Sequence, residues 1–185
     1  MQTLNPLNDS VLVVGGDMLG NFNLLSTTSR GNEREACSEL HHLLGEIGDP
    51  NPTTDKTSIS GLVAAKTVLN PFDVIGKFRK ILQERPYEFR YLLRVIPIER
   101  VVRTDLAEIR EAVMQLASGI GEKETFRVTV EKRFTQTQTR DLIEAAAAHI
   151  RRKVSLSNPS KIILLEVVGG LTGVSLAKPD EILSV

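Results

Sequence analysis

The chain has 185 residues, 41% of them hydrophobic and 25% charged, with a formal net charge of zero at neutral pH. That length accommodates one ordinary domain or two small ones, and that balance argues against wholesale disorder. No apolar run reaches the length of a membrane span, and the first ten residues lack a basic start and an apolar core. The single cysteine, Cys37, cannot form an internal disulfide, so a cytoplasmic, reducing location is expected.

The neutral total conceals an asymmetry. Residues 1–86 carry 8 Lys/Arg against 10 Asp/Glu. Residues 127–161 carry 8 (Arg127, Lys132, Arg133, Arg140, Arg151, Arg152, Lys153 and Lys161) against the 3 acids Glu131, Asp141 and Glu144. A locally basic segment suits a polyanionic partner, although a solvated helix end with scattered surface lysines gives the same count.

In chain order, "VLVVGGDMLGN" at 11–21 has the strand-then-glycine opening of a dinucleotide fold. Asp17 stands at the middle glycine position, however, and strand-forming "FNLLS" follows where a helix should begin. Residues 1–21 are read as a hairpin or an N-terminal extension. A strand is expected at 22–28. The stretch "GNEREACSELHHLLGEIGD" then sets Ala36, Leu40, Leu43, Leu44 and Ile47 on one helical face, with Asn32 and Glu35 as a capping pair and Gly48 as the stop.

The proline-rich 48–57 reads as a connecting loop and 58–67 as a strand. In "NPFDVIGKFRKILQERP", Asn70 is the expected N-cap, Pro71 the first helical residue, and Phe72, Ile75, Phe78 and Leu82 the buried face. A strand is expected at 88–98. The helix in "DLAEIREAVMQLASGIG" buries Leu106, Ile109, Val113, Leu116 and Ile120, with Asp105 and Glu108 as its capping box and Gly121 as its stop. A strand at 126–133 precedes "TRDLIEAAAAHIRRKV". That helix would bury Leu142, Ile143, Ala146, Ala147 and Ile150 and end on Arg151, Arg152 and Lys153, cations that complement its dipole.

The last segment, "NPSKIILLEVVGGLTGVSLA" at 158–177, poses a choice between a phosphate-cradling loop and a hairpin. A phosphate loop needs a helix after its glycines, and the Walker form needs Lys followed by Ser or Thr. Neither is present. Gly169 and Gly170 suit a tight hairpin turn and Gly173 a bulge beside it. The first of the two strands is apolar on both faces apart from Glu166, which places it inside a sheet.

Catalytic constellations are absent from the sequence pattern. His41 and His42 are adjacent on a helix and cannot turn both rings to one metal, His149 lies beside the basic segment, and Cys37 has no nearby His in sequence. The elements define an α/β (α+β) protein with a boundary near Pro86, where composition and charge change.

The order of these elements, and the residues "FRVTVEKRFTQTQTRDLIEAAAAHI" followed by "KVSLSNPSKIILLEVVGGLTGVSL", resemble the THUMP domain. Its usual signature is a strand ending in Lys-Arg, a helix, a "V-D-L-x-N-P-D" turn, then a strand and a glycine hairpin. Ser155 and Ser160 stand here where that turn usually has Asp, which puts a polar contact in question. The upstream "KTVLNPFDVIGKFRKILQERPYEFRYLLRVIPIERVV" and the early "TTSRGNEREA" are similar to one branch, free-standing THUMP proteins that bind tRNA as adaptors for the cytidine acetyltransferase making N4-acetylcytidine.

The resemblance implies a ferredoxin-like N-terminal module at 22–86 packed beside a THUMP domain at 87–185. It also implies a non-catalytic function with no cofactor, and two partners: the tRNA acceptor region and a tRNA acetyltransferase. RNA is held through phosphates and 2′-hydroxyls, so cations on a rigid scaffold are the needed chemistry. Lys132, Arg133, Arg140 and Lys161 are expected to converge on one sheet edge, with Arg133 foremost. Arg94 is either a structural ion pair or a phosphate contact, and Arg30 with Gly31 shapes a turn. The rival readings are a small-molecule-sensing regulatory module on a ferredoxin-like sheet, and a hydrolase or transferase with an unrecognised site.

Overall fold

The structure is a computed structural model that describes residues 20–185. The stretch at 11–21 therefore lies almost wholly outside the described residues. The first six elements are β1 (Leu24–Thr28), α1 (Glu33–Glu46), β2 (Thr53–Lys56), β3 (Leu62–Lys66), α2 (Pro71–Glu84) and β4 (Leu92–Pro97). They give a βαββαβ order with strands arranged β4-β1-β3-β2, every neighbour antiparallel, which is the ferredoxin-like arrangement. The polar "TTDK" of β2 was expected within a loop; as an edge strand it needs apolar residues on neither face.

The second half comprises β5 (Arg100–Arg103), α3 (Leu106–Ala117), β6 (Thr125–Arg133), α4 (Thr139–Ala147), β7 (Lys153–Val154), β8 (Lys161–Val168) and β9 (Leu171–Ala177). Its sheet runs β5-β9-β8-β6-β7, with β6 parallel to both β7 and β8 and the other pairs antiparallel. A final strand, β10 (Leu183–Ser184), returns to the first sheet and pairs with β4. The boundary expected near Pro86 thus falls inside the first sheet's run of strands, since β4 follows it and pairs with β1.

Three apolar clusters show how the halves stack. One joins α1 and α2 to one face of the first sheet through Leu40, Leu44, Phe78, Val63 and Val95. Another joins α3 and α4 to the second sheet through Ile109, Val113, Leu142, Ile163 and Leu165. The third lies between the sheets, where Leu25, Leu62, Ala64 and Ile96 meet Ile162, Leu164, Val168 and Ala177. The result is four layers: helices, sheet, sheet, helices. A strand in either inner layer is covered on both faces, which is why β8 is buried from Ile162 to Val168.

The caps follow the sequence in part. Asn70 accepts from the backbone N–H of Phe72 at 2.9 Å, and Asp105 accepts from Glu108 at 3.0 Å. The Glu108 carboxylate reaches the N–H of Arg103 instead of closing a box on Asp105. Asn32 makes no side-chain cap; Glu33 instead accepts from Gly31 and, at 2.6 Å, from Gly61. On α2 the buried residues are Val74, Ile75, Phe78 and Ile81, so the inward face is rotated from the expected one and Phe72 turns to the seam between the sheets.

The glycine hairpin is as expected: Val168 pairs with Leu171 and Gly169 takes φ +61°. Gly173 is not a bulge. It sits in regular register between Glu166 and Val101, and a Cβ there would lie 2.9 Å from Cδ1 of Ile98. Close approach of the buried Ile98 explains that glycine.

Candidate nucleic-acid interface

Parallel pairing fixes where the cations fall. In the β6–β8 register, Phe126 lies opposite Lys161 and Arg133 opposite Val168. Seven residues of strand separate the two ends by about 23 Å. Lys132 and Arg133 sit at the far end of β6, and Arg140 opens α4 at that same end; Lys161 sits at the near end, beside the start of β6. The four cations therefore do not converge on one edge. A helix between two strands of one sheet makes them parallel, and parallel strands place start beside start.

At the far end the expected contacts are largely engaged within the protein. Arg133 lies 2.9 Å from Glu166, whose side chain is 3% exposed. Arg140 pairs with Glu144 one helical turn on, at 2.8 Å, and Lys132 donates to the carbonyl of Thr137 at 3.1 Å. Arg94, on β4, shares the seam-facing side of its strand with Ile96, and its charge acts on Glu166. Burial pushes the Glu166 carboxyl up from its ordinary value; the hydrogen bond and charge of Arg133, and more weakly the charge of Arg94, pull against that shift, while Glu131 adds to it. Arg133 and Arg94 thus serve a buried carboxylate between the sheets.

The near end differs. Helix α4 stops at Ala147, so Arg151, Arg152 and Lys153 are not its last turn; Lys153 belongs to β7 and lies opposite Thr125. With Arg127 and Lys161 they gather five cations around the first residues of β6. Lys161 is 3.9 Å from Glu124, and the other four make no ion pair among the described residues. Arg127 donates to the carbonyl of Leu156, and Arg152 donates to those of Ile120 and Gly121, satisfying carbonyls beyond the end of α3. Arg151 and Lys153 are exposed. A cleft of about 250 Å³ beside them is lined by Ala117, Ser118, His149, Ile150, Arg151 and Arg152.

The turn into β8 is anchored by the two serines whose substitution for Asp put a contact in question. Ser160 accepts from the N–H of Thr125 at 3.2 Å and returns its own N–H to the Thr125 hydroxyl at 3.1 Å, while Ser155 accepts from Asn158. The contact therefore exists with hydroxyls in place of carboxylates, and it leaves this end without extra negative charge.

Among the described residues no cluster of three or more His, Cys, Asp or Glu side chains has the spacing of a metal site. His41 and His42 are both exposed, and burial pushes the Cys37 thiol up to about 11, so it is protonated at neutral pH. No helix among the described residues is long and apolar enough to cross a membrane.

The fold is thus a ferredoxin-like sheet backed by a second α/β layer with a cationic strand end. Residues 103–177, which run from the end of β5 through β9, match the family model of the THUMP domain. A comparison with curated protein sequences gives no match. Among solved structures the chain is similar to PH1313 from Pyrococcus horikoshii Ot3, with 15% identity and a TM-score of 0.58, over 85% of this chain and 55% of that one. It is also similar to TrmN from Thermus thermophilus, with 16% identity and a TM-score of 0.53, over 85% of this chain and 46% of that one. The chain spans about half the length of these two structures, and what it shares with them is the fold.

Proposed function

We propose that this protein binds tRNA through the near end of its THUMP domain and presents it, without catalysing a reaction itself, to a separate cytidine acetyltransferase that forms N4-acetylcytidine. One observation carries the RNA reading: Arg127, Arg151, Arg152 and Lys153 surround the start of β6 with no carboxylate paired to them among the described residues. Unpaired cations on a rigid strand end pay no cost of breaking internal ion pairs when they meet phosphates, and they release the counterions of the nucleic acid on binding. The resemblance of the segments at 27–36 and 66–102 to free-standing adaptors supports the finer part, the acceptor end as target and the acetyltransferase as partner.

The RNA reading is tested by gel-shift with a structured tRNA over a salt series. Arg151→Ala with Lys153→Ala removes two exposed cations that make no ion pair among the described residues, and the slope of log affinity against log salt is expected to fall by about two. Lys132→Ala with Arg140→Ala should change that slope far less. Equal slopes for wild type and the Arg151/Lys153 variant would reject the near end as anchor. The adaptor reading is tested by co-expressing the chain with a tRNA cytidine acetyltransferase and measuring N4-acetylcytidine in tRNA with and without it. Equal yields would overturn it.

A further inference from the structure

Of six phenylalanines, Phe22, Phe78, Phe89 and Phe126 are buried and Phe72 is half-buried; Phe134 alone is exposed, at 74%. It is also the one non-glycine residue with positive φ among the described residues, at +53°. A bulky side chain in the left-handed region is an outlier, and an exposed ring recovers nothing by packing. The backbone on both sides holds it there. The carbonyl of Arg133 accepts from Gly169 at 2.8 Å, and the Thr135 hydroxyl accepts from the N–H of Thr137 at 3.2 Å. Lys132, bonded to the Thr137 carbonyl, closes the same loop from the other side. The backbone at the tip of β6 thus presents the ring to solvent, with the exposed Lys132 and Arg140 close in the chain.

The strand beneath it leads back to the cationic end. β7 pairs with Thr125 and Phe126, so among the described residues β6 is the open edge of its sheet from Arg127 onward. Along that edge Glu131 is the acid, against Arg127 and Lys132, while Arg133 turns to Glu166 in the seam.

From this we infer that Phe134 is a stacking platform for an unpaired nucleobase of an RNA whose backbone is anchored at the near end of β6. The inference rests on the RNA reading above. A π-face held in solvent and flanked by cations is the chemistry that single-stranded nucleic acid offers a partner for, because every base has a complementary face. A base inside a duplex is stacked on both faces and closed to such a ring, so the ligand is a single-stranded end or loop.

The experiment compares an RNA hairpin with a blunt end and the same hairpin with a four-nucleotide 3′ tail carrying 2-aminopurine. Wild type is expected to bind the tailed RNA more tightly and to quench the 2-aminopurine. Phe134→Ala should weaken tailed binding about tenfold, abolish the quenching and leave blunt binding unchanged, whereas Phe134→Trp should retain both. Arg151→Ala with Lys153→Ala should weaken both RNAs alike. If Phe134→Ala binds and quenches the tail as wild type does, the stacking inference is overturned and the RNA reading stands; the exposed ring would then suit a protein partner. If wild type binds neither RNA, the RNA reading falls and takes the inference with it.

Discussion

Arg133 and Glu166 meet 2.9 Å apart in the seam between the two sheets, from adjacent parallel strands. Because burial raises the Glu166 pKa above its ordinary 4.5, the stability contributed by this group is fully present below 4.5 and is lost as pH rises through the raised folded value. At neutral pH the carboxylate is a burden that Arg133 offsets. Arg133→Ala should therefore destabilise the fold by about 3–5 kcal/mol at pH 7 and by less at pH 4, read from urea denaturation at both. Adding Glu166→Gln should recover most of the loss. A single variant as stable as wild type at pH 7 would show that the pair carries no such role.

Glu33 presents the opposite sign. Backbone N–H groups of Gly61 and Gly31 bond its carboxylate and hold its pKa below the ordinary 4.5. Its contribution is present above 4.5 and is lost as pH falls through the depressed folded value. Glu33→Gln should lower the urea midpoint at pH 7, and the loss should shrink as pH is taken progressively below 4.5. A loss that does not shrink with falling pH would mean that shape, not charge, matters here.

Gly173→Ala should destabilise by about 1–3 kcal/mol, because the new methyl meets Cδ1 and Cγ2 of Ile98 at 2.9 and 3.1 Å inside a packed layer. Combining it with Ile98→Val, which removes Cδ1, should recover part of the loss. Thermal melts of the single and double variants measure this, and strictly additive losses would place the strain elsewhere.

Phe134→Gly should raise stability by about 1 kcal/mol, since glycine takes φ +53° without a Cβ conflict and an exposed ring gives up little packing. Chemical denaturation checks it. Higher stability together with weaker binding of tailed RNA would show strain retained for function.

The four helices and the strong central strands were legible because their apolar periodicity is dictated by burial: Leu40, Leu43 and Leu44 on α1, Ile109 and Val113 on α3, and the doubly covered run of β8. The short edges were not. β2, β5, β7 and β10 have two to four residues each, and their pairing is set by a neighbouring strand and leaves no local pattern. The stop of α4 was missed because "AAAAHIRRK" contains no glycine or proline; the chain leaves the helix so that Ile150 can pack into the core and Arg152 can reach the carbonyls after α3. At the site, the basic count at 127–161 was informative but its geometry was misjudged. A strand–helix–strand order already implied that Lys161 would lie beside Phe126, about seven residues from Arg133. The partner of Glu166 depended on that same register. Phe134 gave no signal, because exposure and a left-handed backbone are properties of the folded loop.

The return of β10 has a consequence for how the molecule comes apart. Leu183, fully buried, docks against Val95 in the first sheet, and Arg79 of α2 grips the carbonyls of Asp180 and Ile182 just before it. The polypeptide therefore leaves one lobe, builds the other and comes home, like a belt whose free end is tucked under its own buckle. Neither lobe is a detachable cassette. A clip after Ala177 would strip the ferredoxin-like sheet of its outer rail, and heat should melt the two lobes in a single cooperative transition.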